Sequence, residues 1–301
     1  KKIVNTNKID FLNIIRGHID TDASLTKVIP IQGMPSSPHL DFAGELREQT
    51  KFPIFHASKI NDVSTARHAI SSGKLDMVGM TRAHIADPYI VNKIIKNKEE
   101  DIRPCVGATY CLDRIYEGKE TLCIHNPATG REKFIPHEIN NKSDNIRRVV
   151  VVGAGPAGLE AARACSARGN EVIVFEATKN PGGQINLISR SKRRKDMFGI
   201  IDWRIEQCKK FNVEFNYNIL ASKENILSKK PDIIIIATGG MPNIGNLDEG
   251  SDLACNTWDI ISGNRNIEED VILYDDNGAF AGLQTAEMIA NKGSKLEIIT
   301  P

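Results

Sequence analysis

Short apolar runs alternate with amphipathic stretches along the first hundred residues. The strand-like and helix-like stretches follow one another at residues 10–16, 41–50, 52–56, 63–72 and 75–80. A loop rich in proline, glycine and serine follows Gly17, and a further helix is predicted after Pro88. This alternation predicts parallel βα units. Three such units do not close a barrel, so an eight-stranded barrel needs more strands before Lys1.

A second alternating pattern follows a polar linker at residues 140–145. Strands are predicted at 149–153, 171–176, 212–216, 232–237, 271–274 and 296–299, with helices at 156–168, 197–210 and 284–291. The strand run Val149–Val152 is apolar throughout, which is typical of a strand buried on both faces of a parallel sheet. This part of the chain therefore predicts a Rossmann-like domain.

Composition excludes several classes of protein. The 301 residues carry a formal net charge of +1, which gives no reason to expect nucleic acid or an anionic membrane as partner. No apolar run approaches the ~20 residues that cross a bilayer. Residues 1–9 lack the apolar core of a secretory signal, so the cytoplasm is expected. The chain lacks an initiator methionine and ends just after a strand-like run, and we expect a fragment of a longer protein.

A glycine loop lies between the first predicted strand and helix of the second pattern. Its residues are Gly153, Gly155, Pro156, Ala157 and Gly158. The first glycine permits a tight turn, the second lets a pyrophosphate approach the backbone, and the third lets helix and strand pack closely. The sequence therefore predicts a dinucleotide site at the helix N-terminus.

Further residues fit the same site. Glu176 ends the next strand, where a carboxylate can bond ribose hydroxyls. Two glycine-containing segments would bring the backbone close to an extended cofactor, one with Gly183 and Gln184 and the other with Ala237, Thr238 and Gly239. Residues 271–282 resemble a second nucleotide loop with part of the glycine pattern. This second loop predicts a nicotinamide nucleotide site. The alternative is a degenerate copy of the first loop that supports the fold or holds a static nucleotide.

Three closely spaced cysteines form the other candidate cofactor site. Cys105, Cys111 and Cys123 have spacing suited to an iron–sulfur cluster, whose usual ligands are four thiolates. Ala108 stands where another ligand is expected, and His125 lies nearby. Zinc held by three cysteines and one histidine is the inorganic alternative, and a lost metal site is the other. Cys165, Cys208 and Cys255 are expected to be packing or incidental thiols.

Two further positions lie where predicted strands end. Arg82, in Gly79-Met80-Thr81-Arg82, follows the third strand, where the last loops of a βα barrel bind phosphate. Ser58 and Lys59, after the preceding strand, can form the other wall of that site, although a surface salt bridge is the alternative role for Arg82. His18 follows the first strand, at the end where barrel enzymes place catalysis, although a single histidine is more often structural.

These motifs together resemble the trimethylamine dehydrogenase and 2,4-dienoyl-CoA reductase family. The most specific stretches are 79–88 and 101–107, followed by Cys111, Cys123 with Asn126, and 153–160. The resemblance implies an α/β chain with the C-terminal part of a flavin-binding (β/α)8 barrel at 1–100, an iron–sulfur segment and linker at 101–145, and a truncated FAD/NAD(P)-binding domain at 146–301.

The resemblance also implies residue roles. It places FMN phosphate on Arg82 and on the backbone near Ser58, Lys59, Gly79 and Thr81. It places a 4Fe–4S cluster on Cys105, Cys111 and Cys123, and FAD on the loop at 153–158 with Glu176. Two positions depart from the family pattern: Ala108 replaces a cluster cysteine, and His18 falls where the amine dehydrogenases carry an active-site acid.

The expected function is that of a flavin-dependent oxidoreductase that moves electrons between FMN, the cluster and FAD with NAD(P)H, as an enoyl-type reductase. A methylated-amine dehydrogenase or demethylase of the same family, with His18 as the catalytic base, is the alternative. A non-catalytic electron-transfer or nucleotide-binding module is the alternative from another class. The expected partners are a small-molecule substrate and an electron-transfer flavoprotein, and a homo-oligomer is left open.

Overall fold

The computed structural model describes residues 3–6, 8–140, 142–243 and 249–300. The chain divides into two compact units, Lys1–Asn141 and Lys142–Pro301. Within the described residues both units are mixed α/β and every sheet is parallel, as the alternating pattern predicts. Closure into a barrel and the division into three segments stay predictions. No helix in the described part of the chain is long and apolar enough to cross a membrane.

The first unit consists of a small sheet with helices between its strands. Its elements are β1 (Leu12–Ile14), α1 (Asp22–Val28), α2 (Leu40–Glu48), β2 (Ile54–Ala57), α3 (Val63–Ser71), β3 (Met77–Gly79), α4 (Thr81–Ala86), α5 (Ile90–Ile95) and α6 (Tyr110–Tyr116). The strands are ordered β1-β2-β3, with β2 in the centre. Ile54 of β2 is fully buried and packs in one cluster with Leu40 of α2 and Ala69 of α3. The apolar faces of both helices therefore cover the same side of the sheet.

The second unit contains two parallel sheets. Its elements are β4 (Arg148–Val152), α7 (Pro156–Ala167), β5 (Glu171–Phe175), α8 (Ile185–Ile188), α9 (Gly199–Lys210), β6 (Glu214–Asn216), α10 (Lys223–Ser228), β7 (Ile233–Ile236), α11 (Thr257–Ser262), β8 (Asp270–Tyr274), α12 (Phe280–Asn291) and β9 (Lys295–Ile299). The larger sheet has the order β6-β5-β4-β7, and β8 pairs with β9. The buried valines of β4 lie at its centre, since β4 pairs with a strand on each side.

Several short helices do not appear in the sequence prediction. The loop expected after Gly17 contains α1, whose first turn is capped by Thr21 Oγ1 accepting from the Ser24 amide at 3.2 Å. Two other missed helices, α10 and α11, begin with capping boxes. The side chains of Ser222 and Asn256 supply those caps, so the polar residues at helix starts are the signal that could have revealed them.

Candidate cofactor sites

The first glycine loop is held tightly by the fold at two of its three glycines. Gly153 follows β4 with a φ of +102°, and a Cβ there would run into the carbonyl oxygen of Ala237. Gly158 lies in the first turn of α7, and a Cβ there would run into the carbonyl oxygen of Gly153. Both positions must therefore be glycine for strand and helix to pack as they do.

Gly155 differs from its two neighbours because nothing in the fold requires it. Its backbone is extended, with φ −74°, and the nearest atom to an added Cβ would be the Cα of Gly183 at 3.9 Å. Pro156 then starts α7, a position where its missing amide proton costs nothing. The surface in front of Gly155 is thus open backbone at the N-terminus of a 12-residue helix, which suits a phosphate.

Glu176 lies beside this loop and is buried. Its Oε2 accepts from the Ala154 amide at 2.8 Å, and its Oε1 accepts from the amide and hydroxyl of Thr178 at 2.9 and 2.8 Å. A carboxylate has about four acceptor positions, so these three bonds leave one for a ribose hydroxyl. The carboxylate therefore fixes the loop and keeps capacity for a ligand.

The remaining predicted residues of this site lie around the same loop. The Gly182 amide donates to the Ala154 carbonyl at 2.8 Å, which places Gly183, with φ +51°, against Gly155. The Ala237 amide donates to Val152 at 2.8 Å and so brings the 237–239 segment to the loop. The Gln184 Nε2 lies 3.5 Å from the Gly240 carbonyl. The structure thus brings Gly183 and the segment that holds Ala237 and Thr238 to the first loop, and Ala157 and Gly239 adjoin these residues in the chain.

The second glycine loop, between β8 and α12, has a different interior. The carboxylate of Asp275 turns back into the loop, where Oδ1 accepts from the Gly278 amide at 3.1 Å. A Cβ added at Gly282 would run into that same carboxylate. The nicotinamide site at 271–282 stays a prediction.

In the first unit, two unsatisfied polar atoms lie after neighbouring strands. Ser58 follows β2 and Arg82 lies at the start of α4, directly after β3. The Ser58 Oγ and the Arg82 Nη1 are both buried and have no hydrogen-bond partner in the described structure. The strand ends are close, because a Cβ at Gly79 would lie 2.8 Å from the Cβ of Ala57. A hydroxyl and a guanidinium with free donors fit an anionic group such as phosphate.

The side chain of Lys59 has a different task. Its ammonium is buried and donates to the carbonyl oxygens of Ile31, at 3.1 Å, and Met34. Ser58 and Lys59 adopt φ values of +135° and +52°, which residues other than glycine rarely adopt. The backbone turns sharply here. Of these two side chains, that of Ser58 has a buried atom without a hydrogen-bond partner in the described structure. Thr81 is exposed at the start of α4.

The three predicted cluster cysteines lie within electrostatic reach of one another. Burial raises the pKa of Cys105, and the neighbouring Cys123 and Cys111 raise it further. Burial also raises the pKa of Cys111, while the Arg82 guanidinium acts on both thiols in the opposite direction. Arg82 is therefore close to the thiols as well as to the candidate phosphate site.

The metal ligand set itself is incomplete. Among the described residues, no group of three or more His, Cys, Asp or Glu side chains is arranged to hold a metal ion. Ala108 offers only its carbonyl oxygen, which accepts from the Thr109 hydroxyl at 2.7 Å. The Nδ1 of His125 lies 2.9 Å from the Pro104 carbonyl, so that ring nitrogen is committed to the backbone. The iron–sulfur cluster stays a prediction, and so does its zinc alternative.

Residues 103–129, which include the three cysteines and are called the cysteine segment below, are fixed to α4 by buried polar residues. The sequence analysis did not identify the roles of these polar residues. The Asn126 Nδ2 donates to the Ala86 carbonyl at 2.9 Å, and the Thr129 hydroxyl donates to Ile85 at 2.8 Å. Both residues are buried. An asparagine next to a proline, as in Asn126-Pro127, is a turn signal in sequence, but its long-range partner on α4 has no sequence signature.

His18 lies on the surface of the described unit. Its Nδ1 is 3.3 Å from Asp20 Oδ2, and its Nε2 is 3.4 Å from the Ser24 hydroxyl. The imidazole is 64% exposed, so it is open to a ligand. Its two neighbours orient the ring, and its catalytic role stays a prediction.

Comparison with known proteins assigns a class to the second unit. Residues 147–273 match the family model described as pyridine nucleotide-disulphide oxidoreductase. The glycine loop at 153–158 and Glu176 lie inside that match. Residues 147–273 of the second unit are therefore a region of the FAD/NAD-binding type found in these oxidoreductases.

Similarity over the whole chain identifies a narrower group. The chain is 60% identical over 301 residues to the probable N-methylproline demethylase of Rhizobium meliloti, covering 100% of this chain and 44% of that protein. It is 40% identical to the N,N-dimethylglycine/sarcosine dehydrogenase of Chromohalobacter salexigens, covering 98% and 44%. A solved structure of 2-naphthoyl-CoA reductase with 2-naphthoyl-CoA matches with a TM-score of 0.88 at 28% identity, covering 99% and 44%.

Over the span that it shares with these proteins, the chain belongs to the trimethylamine dehydrogenase and 2,4-dienoyl-CoA reductase family, as the sequence motifs predict. The chain spans less than half the length of these relatives, 44% in each case.

Proposed function

We propose that the protein is a flavin-dependent oxidoreductase whose second unit binds FAD on the loop at 153–158. The observation that carries this proposal is the contrast within the loop. An added Cβ at Gly153 or Gly158 would collide with a backbone carbonyl oxygen. Gly155 instead faces open space, where a pyrophosphate would lie. Glu176 keeps one acceptor position, with which it would bond the adenosine ribose. A fold that needed only tight packing would have no use for glycine at position 155.

We propose further that the first unit binds the phosphate of FMN. The unsatisfied Ser58 Oγ and Arg82 Nη1 support this assignment, since an anion would satisfy both buried donors. Gly79 allows β2 and β3 to approach, and backbone amides near Lys59 and Thr81 would complete the site. When bound, the flavin supplies the hydride-accepting ring, and the protein supplies position and electrostatics.

Oxidation of a methylated amine is one direction of reaction that similarity to the relatives supports. The protein from Rhizobium meliloti is 60% identical over the whole chain and is named as a demethylase. His18 would act as a base toward the amine through its Nε2, with Asp20 beside its Nδ1 and the substrate replacing the Ser24 hydroxyl that now lies 3.4 Å from Nε2. Enoyl-type reduction is the second candidate, because the likeness to 2-naphthoyl-CoA reductase covers 99% of the chain.

An iron–sulfur cluster on Cys105, Cys111 and Cys123 remains part of the proposal. The three thiols lie near one another and near Arg82, whose positive charge lowers the pKa of Cys105 and Cys111 against the opposing effect of burial. This proximity supports a shared cluster. The absence of a cysteine at Ala108 counts against complete ligation.

The test of FAD binding uses the difference between Gly155 and Gly158. Gly155→Val in the full-length protein is expected to fold, since nothing lies within 3.9 Å of the added Cβ, and to lose FAD while keeping FMN. Gly158→Ala is expected to destabilise the unit itself, because its methyl group would meet the Gly153 carbonyl.

The measurements are flavin content by chromatography of the released cofactors and folding by circular dichroism. A folded Gly155→Val protein with the FAD content of the parent would refute the assignment.

A further inference from the structure

The two glycine loops of the second unit share a framework but not a length. Each leads from a parallel strand into a helix of 12 residues, α7 or α12. Each helix carries a glycine at its third position, Gly158 or Gly282. Three residues, 153–155, separate β4 from α7, whereas five residues, 275–279, separate β8 from α12. The second loop is therefore two residues longer than the first.

That additional chain directs a carboxylate into the loop. Asp275 Oδ1 accepts from the Gly278 amide at 3.1 Å and lies 3.3 Å from the Asn277 amide. The same carboxylate lies against Gly282, which is buried, so that a Cβ there would strike it. In the first loop the corresponding contact of Gly158 is with the backbone carbonyl of Gly153. A charged side chain thus takes the place that backbone takes in the first loop.

The residue before the helix also makes the second loop less open to a phosphate than the first. Gly155 precedes α7 and leaves the approach to the amides open, but Ala279 precedes α12 and carries a methyl group. Asp276, beside Asp275, is exposed and adds a second negative charge. A pyrophosphate entering this loop would meet like charges at amides that are already bonded.

Two arginines near α12 contact groups other than the Asp275 carboxylate. The Arg194 guanidinium lies over the Phe280 ring, with its Cζ 3.9 Å from the ring centroid. Arg193 pairs with Glu287 on α12 at 2.7 Å. The family match also ends at residue 273, before this loop begins.

We propose that Asp275 acts as a built-in anion that excludes nicotinamide dinucleotides from the second loop. Asp275 is then a specificity-determining residue: it decides that NADH and NADPH do not exchange at this position, while the first loop holds FAD. This inference rests on the proposed function, because it presumes that FAD fills the first loop. It selects the degenerate copy among the alternatives that the sequence left open for residues 271–282.

The experiment measures NADH and NADPH binding to the full-length, FAD-loaded protein under anaerobic conditions, by calorimetry or nucleotide fluorescence. Asp275→Asn keeps an oxygen that accepts hydrogen bonds from the loop amides but removes the negative charge. Asp275→Gly removes the whole side chain from the loop. Both variants are expected to bind at least one of the two nucleotides at least about tenfold more tightly than the parent. Asp276→Asn is the matched control, because it removes an adjacent charge that lies outside the loop, and it is expected to stay within about twofold.

Equal affinity in the parent and both Asp275 variants would overturn the proposal, and so would the absence of binding in all of them. Circular dichroism and FAD content of the same samples report folding. If the parent lacks FAD, the proposed function fails, whereas the proposal for Asp275 fails only on the affinity comparison.

Discussion

Asp87, just after α4, accepts the backbone amide of Arg103 at 2.8 Å and so ties the end of that helix to the start of the cysteine segment. The same Oδ2 atom receives the Lys93 ammonium at 2.6 Å, and Oδ1 receives the Tyr89 amide at 3.0 Å. The carboxylate side chain is only 4% exposed. One buried acid therefore joins three separate stretches of the first unit.

Replacing Asp87 with asparagine should destabilise the full-length protein. The change leaves the half-buried Lys93 ammonium without its carboxylate, and breaking a buried pair in this way costs about 3 kcal/mol. Urea unfolding followed by circular dichroism measures the loss. Asp41→Asn is the control, since Asp41 pairs with Lys74 at the surface with 87% of its side chain exposed. A midpoint for Asp87→Asn no lower than that of the control would contradict the role given to Asp87.

Arg82→Ala should weaken FMN binding. A charge-assisted bond from a guanidinium contributes about 1.5–3 kcal/mol, which corresponds to roughly a tenfold to hundredfold loss of affinity. Fluorescence titration of the FMN-depleted protein measures this. Arg67→Ala serves as control, because the Arg67 side chain is 59% exposed and pairs with Glu99. If both variants bind FMN as the parent does, Arg82 is not a phosphate ligand.

An iron–sulfur cluster held by the cysteine segment should be sensitive to oxygen. With three thiolates and Ala108 in the fourth position, iron and acid-labile sulfide should be present in anaerobic protein and be lost in air. Cys111→Ala should lower both, and Ala108→Cys should slow the loss in air, because a fourth thiolate completes the ligand set. Cys255→Ala, an exposed thiol in the second unit, should change neither. A parent protein with bound flavin but no iron or sulfide would show that no cluster is held.

His56 should make the first unit less stable in mild acid. Burial lowers the pKa of His56, and the charge of His39 lowers it further, although the bond to the Ile14 carbonyl acts the other way. The unfolded chain therefore takes up a proton more readily than the folded one below about pH 6.5. Stability should be constant above that pH and decline as the pH falls below it, until the folded ring also becomes protonated.

Urea unfolding at about pH 7.5 and about pH 5.5 checks this expectation. His56→Gln should reduce the difference between the two midpoints, whereas His68→Gln, at an exposed position, should leave it as in the parent. An unchanged difference in His56→Gln would show that other groups cause the acid sensitivity.

Local patterns made the main elements predictable from sequence. The valine run of β4 and the glycine spacing of 153–158 depend on neighbours in the chain, and both are found where the sequence places them. The helix expected at 284–291 begins earlier, at Phe280, because the glycine and alanine residues of its first turn weaken the amphipathic signal.

What the sequence could not reveal depends on distant contacts. The unsatisfied atoms of Ser58 and Arg82 become meaningful only when two strand ends are brought together. The inward turn of Asp275 is equally invisible, because an aspartate after a strand reads as an ordinary turn residue. The short helices α10 and α11 carried capping signals, but each is only six residues long and weakly periodic.

The anchoring of Lys59 bears on how a substrate would enter. Its ammonium holds the carbonyls of Ile31 and Met34, while its own carbonyl accepts from the Ser36 hydroxyl and the Ser37 amide, each at 3.2 Å. A loop fixed at so many points cannot swing as a lid without exposing a buried charge. The segment around Lys59 is therefore expected to stay fixed, and any movable lid over this edge of the sheet must be built from other segments.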